Sequence, residues 1–224
     1  MTITIGFDVY GTLIDTAGVT EALKQFAGDR ATEFSNLWRE KQLEYSFRRA
    51  LMQNYVHFGL CTRFALDYTC TALGIQITEK DRLELLAGYK ALPPFPDVEE
   101  ALPVLKTRGF RLFAFSNGKP EDVASLLENS GISSYFVDVV STDEIKSFKP
   151  NPAVYAHFLR RTGSTGKEAW LISGNPFDVI GAISAGMRGA WVQRSPKALF
   201  DPWEIEPTLT IEKMSELADS IEKA

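Results

Sequence analysis

The stretch FDVYGTL, residues 7–13, ends an apolar, β-rich run that begins at residue 2 with TITIG. A buried strand that ends in Asp8 displays a carboxylate at its carboxyl end. The turn at Gly11 and Thr12 lets backbone amides face the same space. Such an aspartate is ionised at neutral pH and can attack an electrophilic carbon or phosphorus. It can equally close a turn or cap the next helix, and this stretch alone leaves both interpretations open.

Further short apolar runs and helical patterns alternate along the rest of the chain. Four runs resemble the first one, at residues 111–117, 135–141, 169–175 and 189–193. Helical patterns accompany them at residues 97–108, 120–130, 151–162 and 176–186. Such alternation is typical of βαβ units. It predicts an α/β fold, with a Rossmann-like parallel sheet as its core and helices on both faces.

One long segment breaks this alternation. Residues 14–92 contain several helical patterns and no convincing strand, and they are too long for a loop. The segment closes at LPPFPD, residues 92–97, whose prolines cannot continue a helix. We therefore expect a catalytic core formed by residues 1–13 and 94–224. Residues 14–93 are expected to form an inserted helical cap over the carboxyl edge of the sheet.

Composition excludes several classes of protein. The net charge of −5, from 24 basic and 29 acidic residues, gives no reason to expect nucleic acid or an anionic membrane as a partner. No apolar run approaches the ~20 residues that span a bilayer, and the N-terminus lacks the basic region of a signal peptide. Cys61 and Cys70 have no Cys or His cluster nearby that would suggest a metal. These features predict a cytoplasmic protein with reduced, buried thiols.

Polar residues also stand where three later segments reach the same edge of the sheet. Ser116 and Asn117 end one strand, Lys149 precedes a proline, and Ser173 ends another strand. Asn175 is expected to cap the following helix, in whose first turn Asp178 lies. Each has a structural explanation, such as a cap, a solvated lysine or an acid that complements a helix dipole. Their meeting at one sheet edge indicates a functional site.

In this order the pieces resemble the haloacid dehalogenase superfamily, over essentially the whole chain. Most members are phosphatases, which carry a second aspartate two residues after the nucleophile; here that residue is Tyr10, a poor general acid at neutral pH. Phosphatases also use an acidic residue at the position of Gly174 to help hold Mg²⁺, whereas here only Asp178 remains. Both departures favour a metal-free reaction whose leaving group needs no proton, such as a halide.

An arginine in the cap points the same way. Residues 33–55 form an amphipathic helical pattern in which Arg39 interrupts a row continued by Leu43, Phe47 and Leu51. The arginine could extend to solvent or pair with a glutamate, or it could stabilise a departing halide in an apolar pocket. The stretch LWREKQLEY, residues 37–45, resembles the cap helix of L-2-haloacid dehalogenases.

The resemblance to L-2-haloacid dehalogenases implies a role for each motif position. Asp8 would be the nucleophile, Lys149 would balance its charge, and Tyr155 would support Lys149. The other implied roles concern the hydrogen-bond network (Thr12, Ser116), the substrate carboxylate (Ser116), the halide cradle (Arg39, Asn117, Phe177), the hydrolytic water (Ser173, Asn175, Asp178) and the apolar wall (Tyr10, Leu43, Phe58). The implied reaction converts short L-2-haloalkanoic acids to D-2-hydroxy acids through an aspartyl ester, with no cofactor. Members of the family often form homodimers.

Two alternatives to this reaction remain open from the sequence. One is a Mg²⁺-dependent phosphatase of the same superfamily with a degenerate motif. The other is a noncatalytic binding protein built on the same scaffold, against which the complete set of Asp8, Lys149 and Asp178 argues.

Overall fold

The computed structural model describes residues 2–224 and contains one parallel six-stranded sheet. The strands lie in the order β3-β2-β1-β4-β5-β6. Their bounds are Thr4–Phe7 for β1, Arg111–Ser116 for β2, Asp138–Ser141 for β3, Ala169–Ser173 for β4, Arg188–Val192 for β5 and Leu209–Ile211 for β6. The α/β fold with a parallel Rossmann-like core is confirmed. Strand β6 was missed, because three residues at a sheet edge carry too little pattern to be distinguished from a loop.

Helices cover both faces of this sheet, as the buried central strands require. In β2, Leu112 and Ala114 face one apolar cluster, whereas Phe113 and Phe115 face another. The second cluster also contains residues of two helices, among them Val154 and Ala182. The helices after residue 95 are α5 (Pro96–Thr107), α6 (Pro120–Asn129), α7 (Pro152–Thr162), α8 (Pro176–Ser184) and α9 (Leu217–Lys223).

Between β1 and α5 the chain is almost entirely helical. The four helices are α1 (Ala17–Ala27), α2 (Ala31–Leu51), α3 (Phe58–Leu73) and α4 (Glu79–Gly88). An isolated β-bridge between Ile14 and Pro94 brings the two ends of this helical segment together beside β1. Within residues 2–224, no helix is both long enough and apolar enough to cross a membrane.

Helix α2 presents a different face to the interior from the one the sequence suggested. Its buried residues are Ala31, Phe34, Trp38, Gln42 and Ser46. Leu51, which the apolar row was expected to include, is 87% exposed at the end of the helix. The face is set by α3, to which Trp38 is tied by a hydrogen bond of 2.8 Å from its Nε1 to the carbonyl oxygen of Thr62.

The strand order creates a crevice at the carboxyl end of β1. From β1, the next strand along the chain (β2) lies on one side, whereas β4 lies on the other. Connections that leave in opposite directions open a gap between the loops above the sheet, and ligand sites of such folds lie there. Asp8 is the first residue after β1 and therefore stands at this gap.

Candidate active site

Asp8 is held at the crevice by four side-chain donors from three segments of the chain. Its backbone N–H donates to the carbonyl oxygen of Ile172 at 2.9 Å, which continues the pairing of β1 with β4. Its Oδ2 accepts hydrogen bonds from Thr12 Oγ1 (3.0 Å), Asn175 Nδ2 (2.7 Å) and Ser173 Oγ (3.3 Å). Its Oδ1 lies 3.2 Å from Lys149 Nζ. These contacts fix the carboxylate in one orientation.

Lys149 is a buried cation between two carboxylates. Its side chain is 1% exposed, and Nζ lies 2.7 Å from Asp178 Oδ2 and 3.2 Å from Asp8 Oδ1. A third hydrogen bond, of 2.8 Å, reaches the carbonyl oxygen of Phe115. Burial by itself lowers the pKa of Lys149, but the charges of Asp178 and Asp8 outweigh it and raise the pKa above its usual value. The ammonium group is therefore charged at neutral pH and uses all three of its donors.

Asp178 connects Lys149 to Tyr155. The Tyr155 hydroxyl donates to Asp178 Oδ1 at 2.8 Å, whereas Asp178 Oδ2 accepts from Lys149. Tyr155 is thus connected to Lys149 through the Asp178 carboxylate, to which a hydroxyl group donates a strong hydrogen bond. Burial raises the pKa of Asp178 to about 6, and the charge of Lys149 opposes this shift. Asp178 is thus mostly ionised at neutral pH and titrates not far below it.

Asn175 has a different role from the helix cap expected of it. Its side chain makes no capping bond at the start of α8, which begins at Pro176. Instead its Nδ2 donates to Asp8, and its Oδ1 accepts from Arg39 Nη2 at 3.4 Å. The amide can serve only one set of partners, and the charged groups on either side make stronger hydrogen bonds than a backbone N–H does.

Arg39 reaches this cluster from α2 and is held there by residues that the sequence did not single out. Its Nη1 donates to Gln42 Oε1 at 2.7 Å, and Gln42 Nε2 donates to Thr62 Oγ1 at 2.6 Å. Gln42 is only 3% exposed. The available signal was a polar residue one turn after Arg39, but it lies outside the apolar row on which the sequence analysis rested. The arginine therefore points into the gap between the helical segment and the sheet.

Ser116 and Asn117 lie at the carboxyl end of β2, next to the cluster but not on Asp8. Ser116 Oγ accepts the backbone N–H of Gly118 at 3.1 Å. Asn117 Oδ1 accepts the backbone N–H of Lys149 at 2.9 Å and the hydroxyl of Thr142 at 3.2 Å. In the structure Asn117 thus anchors the backbone that carries Lys149.

A cavity of about 780 Å³ adjoins this cluster at Asn175, whose side chain donates to Asp8. Of the predicted site residues, Tyr10, Arg39, Phe58 and Asn175 line it. Leu43 and Phe177 are not among its lining residues in the described part of the chain, and Phe177 packs edge-on against the Phe47 ring, with centroids 5.1 Å apart. The cavity thus has a polar end at Asn175 and apolar rings on its walls.

Tyr10 forms part of an aromatic wall. Its ring meets the ring of Tyr89, which the sequence did not indicate, at a centroid distance of 5.8 Å. Burial raises the pKa of Tyr10 well above its usual value, so that its hydroxyl stays protonated at neutral pH. Tyr10 therefore cannot act there as a general base.

The position of the missing acid, Gly174, is sterically closed. A Cβ atom at Gly174 would lie 2.7 Å from the carbonyl oxygen of Gly11, so no side chain fits without a movement of backbone. Close by, Lys149 Nζ already bridges the Asp8 and Asp178 carboxylates that a divalent cation would need. Within residues 2–224, no group of three or more His, Cys, Asp or Glu side chains is arranged to hold a metal ion.

Comparisons with known proteins identify relatives over nearly the whole chain. The model of the haloacid dehalogenase-like hydrolases matches residues 4–186. Haloacetate dehalogenase H-2 of Moraxella sp. (strain B) is 37% identical over 218 residues, which are 97% of this chain and 96% of that protein. (S)-2-Haloacid dehalogenase 2 of Pseudomonas sp. (strain CBS-3) is 36% identical over 211 residues, covering 94% and 92%.

A solved structure gives the same result for the fold. The structure of L-2-haloacid dehalogenase from Xanthobacter autotrophicus with chloropropionic acid covalently bound matches this chain with a TM-score of 0.92. The two sequences are 30% identical, and the match covers 99% of each chain.

Proposed function

The chain belongs to the haloacid dehalogenase-like hydrolases, and within this family we propose that it hydrolyses short L-2-haloalkanoic acids to D-2-hydroxy acids. The observation that carries the proposal is the link from Asp8 to Arg39. Four donors align the Asp8 carboxylate, and one of them, Asn175, also accepts from the Arg39 guanidinium at a cavity that Asn175 and Arg39 both line. The relatives that match nearly the whole chain are dehalogenases by name, and one of them holds chloropropionic acid covalently. No observation favours the phosphatase considered above.

In the first step, a carboxylate oxygen of Asp8 attacks C2 of the substrate from the side opposite the halogen. The carbon–oxygen bond of an aspartyl ester forms while the carbon–halogen bond breaks, and the halide leaves with the bonding electrons. Backside attack inverts the configuration at C2. The four donors that hold the Asp8 carboxylate supply the alignment that this step needs.

In the second step, water attacks the ester carbonyl carbon of Asp8 rather than C2. Asp178 accepts a proton from this water, and Ser173 and Asn175 orient it. The bond between the carbonyl carbon and the alkyl oxygen then breaks, and the alkoxide takes the proton back from Asp178 to give the D-2-hydroxy acid. The carboxylic acid of Asp8 releases the remaining proton to solvent. C2 keeps its inverted configuration, and Asp8 is regenerated with one oxygen from water. Lys149 stabilises the oxyanion, because its ammonium group lies beside the Asp8 carboxylate.

The remaining motif positions bind the substrate. Arg39 stabilises the departing halide, with Asn117 and the edge of Phe177 completing its cradle. Arg39 lines the cavity and, within residues 2–224, has no carboxylate oxygen within 4.0 Å of its guanidinium, which supports this role. The other positions follow the resemblance: Ser116 binds the substrate carboxylate, Thr12 and Tyr155 maintain the hydrogen-bond network, and Tyr10, Leu43 and Phe58 surround the alkyl group.

The proposal also covers the cap, the metal requirement, the location and the oligomeric state of the enzyme. Residues 14–93 act as a cap that keeps bulk water from the first step, over a core of residues 1–13 and 94–224. The reaction uses no metal, since Gly174 cannot accept a side chain and Lys149 bridges the two carboxylates. We place the enzyme in the cytoplasm as a homodimer. The exposed apolar side chains of Leu51 at the end of α2, Met52 directly after it and Phe64 on α3 support self-association.

The proposed reaction predicts a stereospecific, metal-independent release of halide. With racemic 2-chloropropionate and EDTA, we expect chloride release that stops when half the substrate is consumed. Chiral chromatography should show only the L enantiomer lost and only D-lactate formed. Retention of configuration, or turnover that EDTA abolishes, would contradict the mechanism. Hydrolysis of a phosphate ester with Mg²⁺ in place of halide release would replace it with phosphatase chemistry.

The raised pKa of Asp178 predicts an acid limit to ester hydrolysis. Because Asp178 must be ionised to accept a proton, hydrolysis should slow as the pH falls through its pKa of about 6. The charge of Asp8 contributes to that raised pKa and is lost in the ester, so the midpoint should lie at or somewhat below about 6. Single-turnover formation of the hydroxy acid, followed from about pH 4 to about pH 8, measures it. A midpoint above neutrality would exclude Asp178 as the base. In Asp178→Asn, the rate of ester hydrolysis should no longer depend on pH in this acid range.

A further inference from the structure

Arg39 is held in an unusual way for an arginine beneath a cavity. A guanidinium carries five N–H donors, and such groups inside proteins are ordinarily paired with carboxylates. Here its two side-chain acceptors are both neutral amides, Gln42 Oε1 at 2.7 Å and Asn175 Oδ1 at 3.4 Å. Burial lowers the pKa of Arg39, yet an arginine keeps its charge at neutral pH. The cation therefore stands uncompensated by any direct ion pair among residues 2–224.

Gln42 itself is fixed in one orientation. Arginine can only donate, so the amide oxygen of Gln42 must face Arg39 and its Nε2 must face Thr62 Oγ1, 2.6 Å away. The Thr62 hydroxyl in turn donates to the carbonyl oxygen of Phe58 at 3.0 Å, one turn earlier in α3. Gln42 is 3% exposed and Thr62 is 6% exposed. A chain of hydrogen bonds thus runs from the backbone of α3 to the guanidinium on α2.

We propose that Gln42 is a neutral positioning residue, which fixes the Arg39 guanidinium through Thr62 without cancelling the charge that stabilises the departing halide. The proposal rests on the proposed function, because it assigns Arg39 to the halide. Gln42 does not touch the reacting atoms in this assignment. It acts through Arg39, and α3 supplies the rigid support.

The neutrality of the amide is the essential property. A carboxylate in place of the Gln42 amide would orient the Arg39 guanidinium equally well. Its negative charge, however, would lie under 3 Å from the guanidinium and offset the positive charge, because little water screens the pair there. An approaching halide would then meet an ion pair rather than a cation. A neutral amide gives the orientation and leaves the electrostatic potential for the anion. This distinguishes the proposal from a merely structural role, in which either side chain would serve.

The test compares Gln42→Glu and Gln42→Met, with Gln25→Glu on the exposed side of α1 as a control for the charge change. Halide release is measured in single turnovers with enzyme in excess, on L-2-chloropropionate and L-2-bromopropionate. We expect Gln42→Glu to lower chloride release about 100-fold, the size of effect seen when a charge-stabilising donor is lost. Bromide release should fall less, about 10-fold, because bromide is the better leaving group and needs less stabilisation.

Binding of sodium bromide, followed by tryptophan fluorescence, separates charge from orientation. Gln42→Glu should weaken bromide binding about 10-fold or more, because the ion pair cancels the attraction. Gln42→Met leaves the charge of Arg39 uncancelled, so this variant should bind bromide nearly as the wild type does. Its halide release should fall about 10-fold, because the Arg39 guanidinium is no longer fixed in orientation. Gln25→Glu should change neither. Full halide release and bromide binding in Gln42→Glu would overturn the proposal.

Substitutions at Thr62 test the supporting hydrogen bond without a new charge. Thr62→Val removes the acceptor of Gln42 Nε2 and should slow halide release, whereas Thr62→Ser should restore it. This pair also decides the matter if Gln42→Glu does not fold, since equal rates in Thr62→Val and the wild type would overturn the relay. If the wild type binds bromide but releases no chloride from 2-chloropropionate, the proposed function fails. The bromide measurements then still test whether Gln42 is a neutral positioning residue for Arg39.

Discussion

Replacement of Lys149 by methionine is expected to cost the protein both stability and activity. The substitution removes the cation from between Asp178 Oδ2, at 2.7 Å, and Asp8 Oδ1, at 3.2 Å. Asp178 is 1% exposed in its side chain and would be left as a buried carboxylate with no counter-ion. Breaking a buried ion pair from one side costs about 3–5 kcal/mol, so we expect a loss of that order in the free energy of unfolding. Halide release should fall about 1,000-fold, because Asp8 loses the ammonium group that aligns it and that stabilises the oxyanion.

Urea unfolding at neutral pH measures the loss of stability. Lys24→Met is a matched control, because that lysine is 59% exposed in its side chain and its removal should change stability by less than about 1 kcal/mol. The double variant Lys149→Met/Asp178→Asn should recover part of the stability, since the unpaired charge is gone, but none of the activity. If Lys149→Met were as stable as the wild type, solvent or a rearranged structure would have to compensate the negative charge of Asp178. That result would contradict the expectation that Asp178 remains a buried charge without a counter-ion.

Replacement of Asp8 by asparagine is expected to have the largest effect on turnover. The amide keeps the shape of the side chain but removes the nucleophilic oxygen anion, and without it no ester can form. We expect halide release to fall about 10⁵-fold, comparable to the loss of a nucleophile in other covalent mechanisms. The fold should survive, since removal of the charge also relieves the repulsion between Asp8 and Asp178.

Acid quench and mass spectrometry identify the intermediate directly. In the wild type, the peptide that contains Asp8 should gain the mass of the dehalogenated acid during turnover, and the Asp8→Asn peptide should not. Asp15→Asn is the matched control: Asp15 lines the cavity but does not contact Asp8, and its Oδ1 accepts a hydrogen bond from the backbone N–H of Ala17 that an asparagine can keep. An ester found on any other residue, or normal turnover in Asp8→Asn, would refute the assignment of the nucleophile.

The sequence was informative wherever a local pattern carried the physical constraint. Alternating strand and helix periods predicted the parallel sheet, and polar residues at strand ends predicted Asp8, Ser173 and Lys149 at one edge. These features depend on residues close in the chain, or on the rule that parallel strands bring their carboxyl ends together.

The partners of those residues were decided only by the tertiary structure. Tyr155 reaches Lys149 only through Asp178, and Asn175 holds Asp8 instead of capping α8. Gln42, which the sequence did not single out, holds Arg39. Each choice depends on side chains brought together by the packing of separate helices and strands. The periodicity of a sequence indicates that a helix has an apolar side, but the elements packed against the helix decide which of its residues are buried. The sequence thus determined which chemical groups meet at Asp8, whereas the packing of α2 on α3 and of α7 on α8 decided which group holds which.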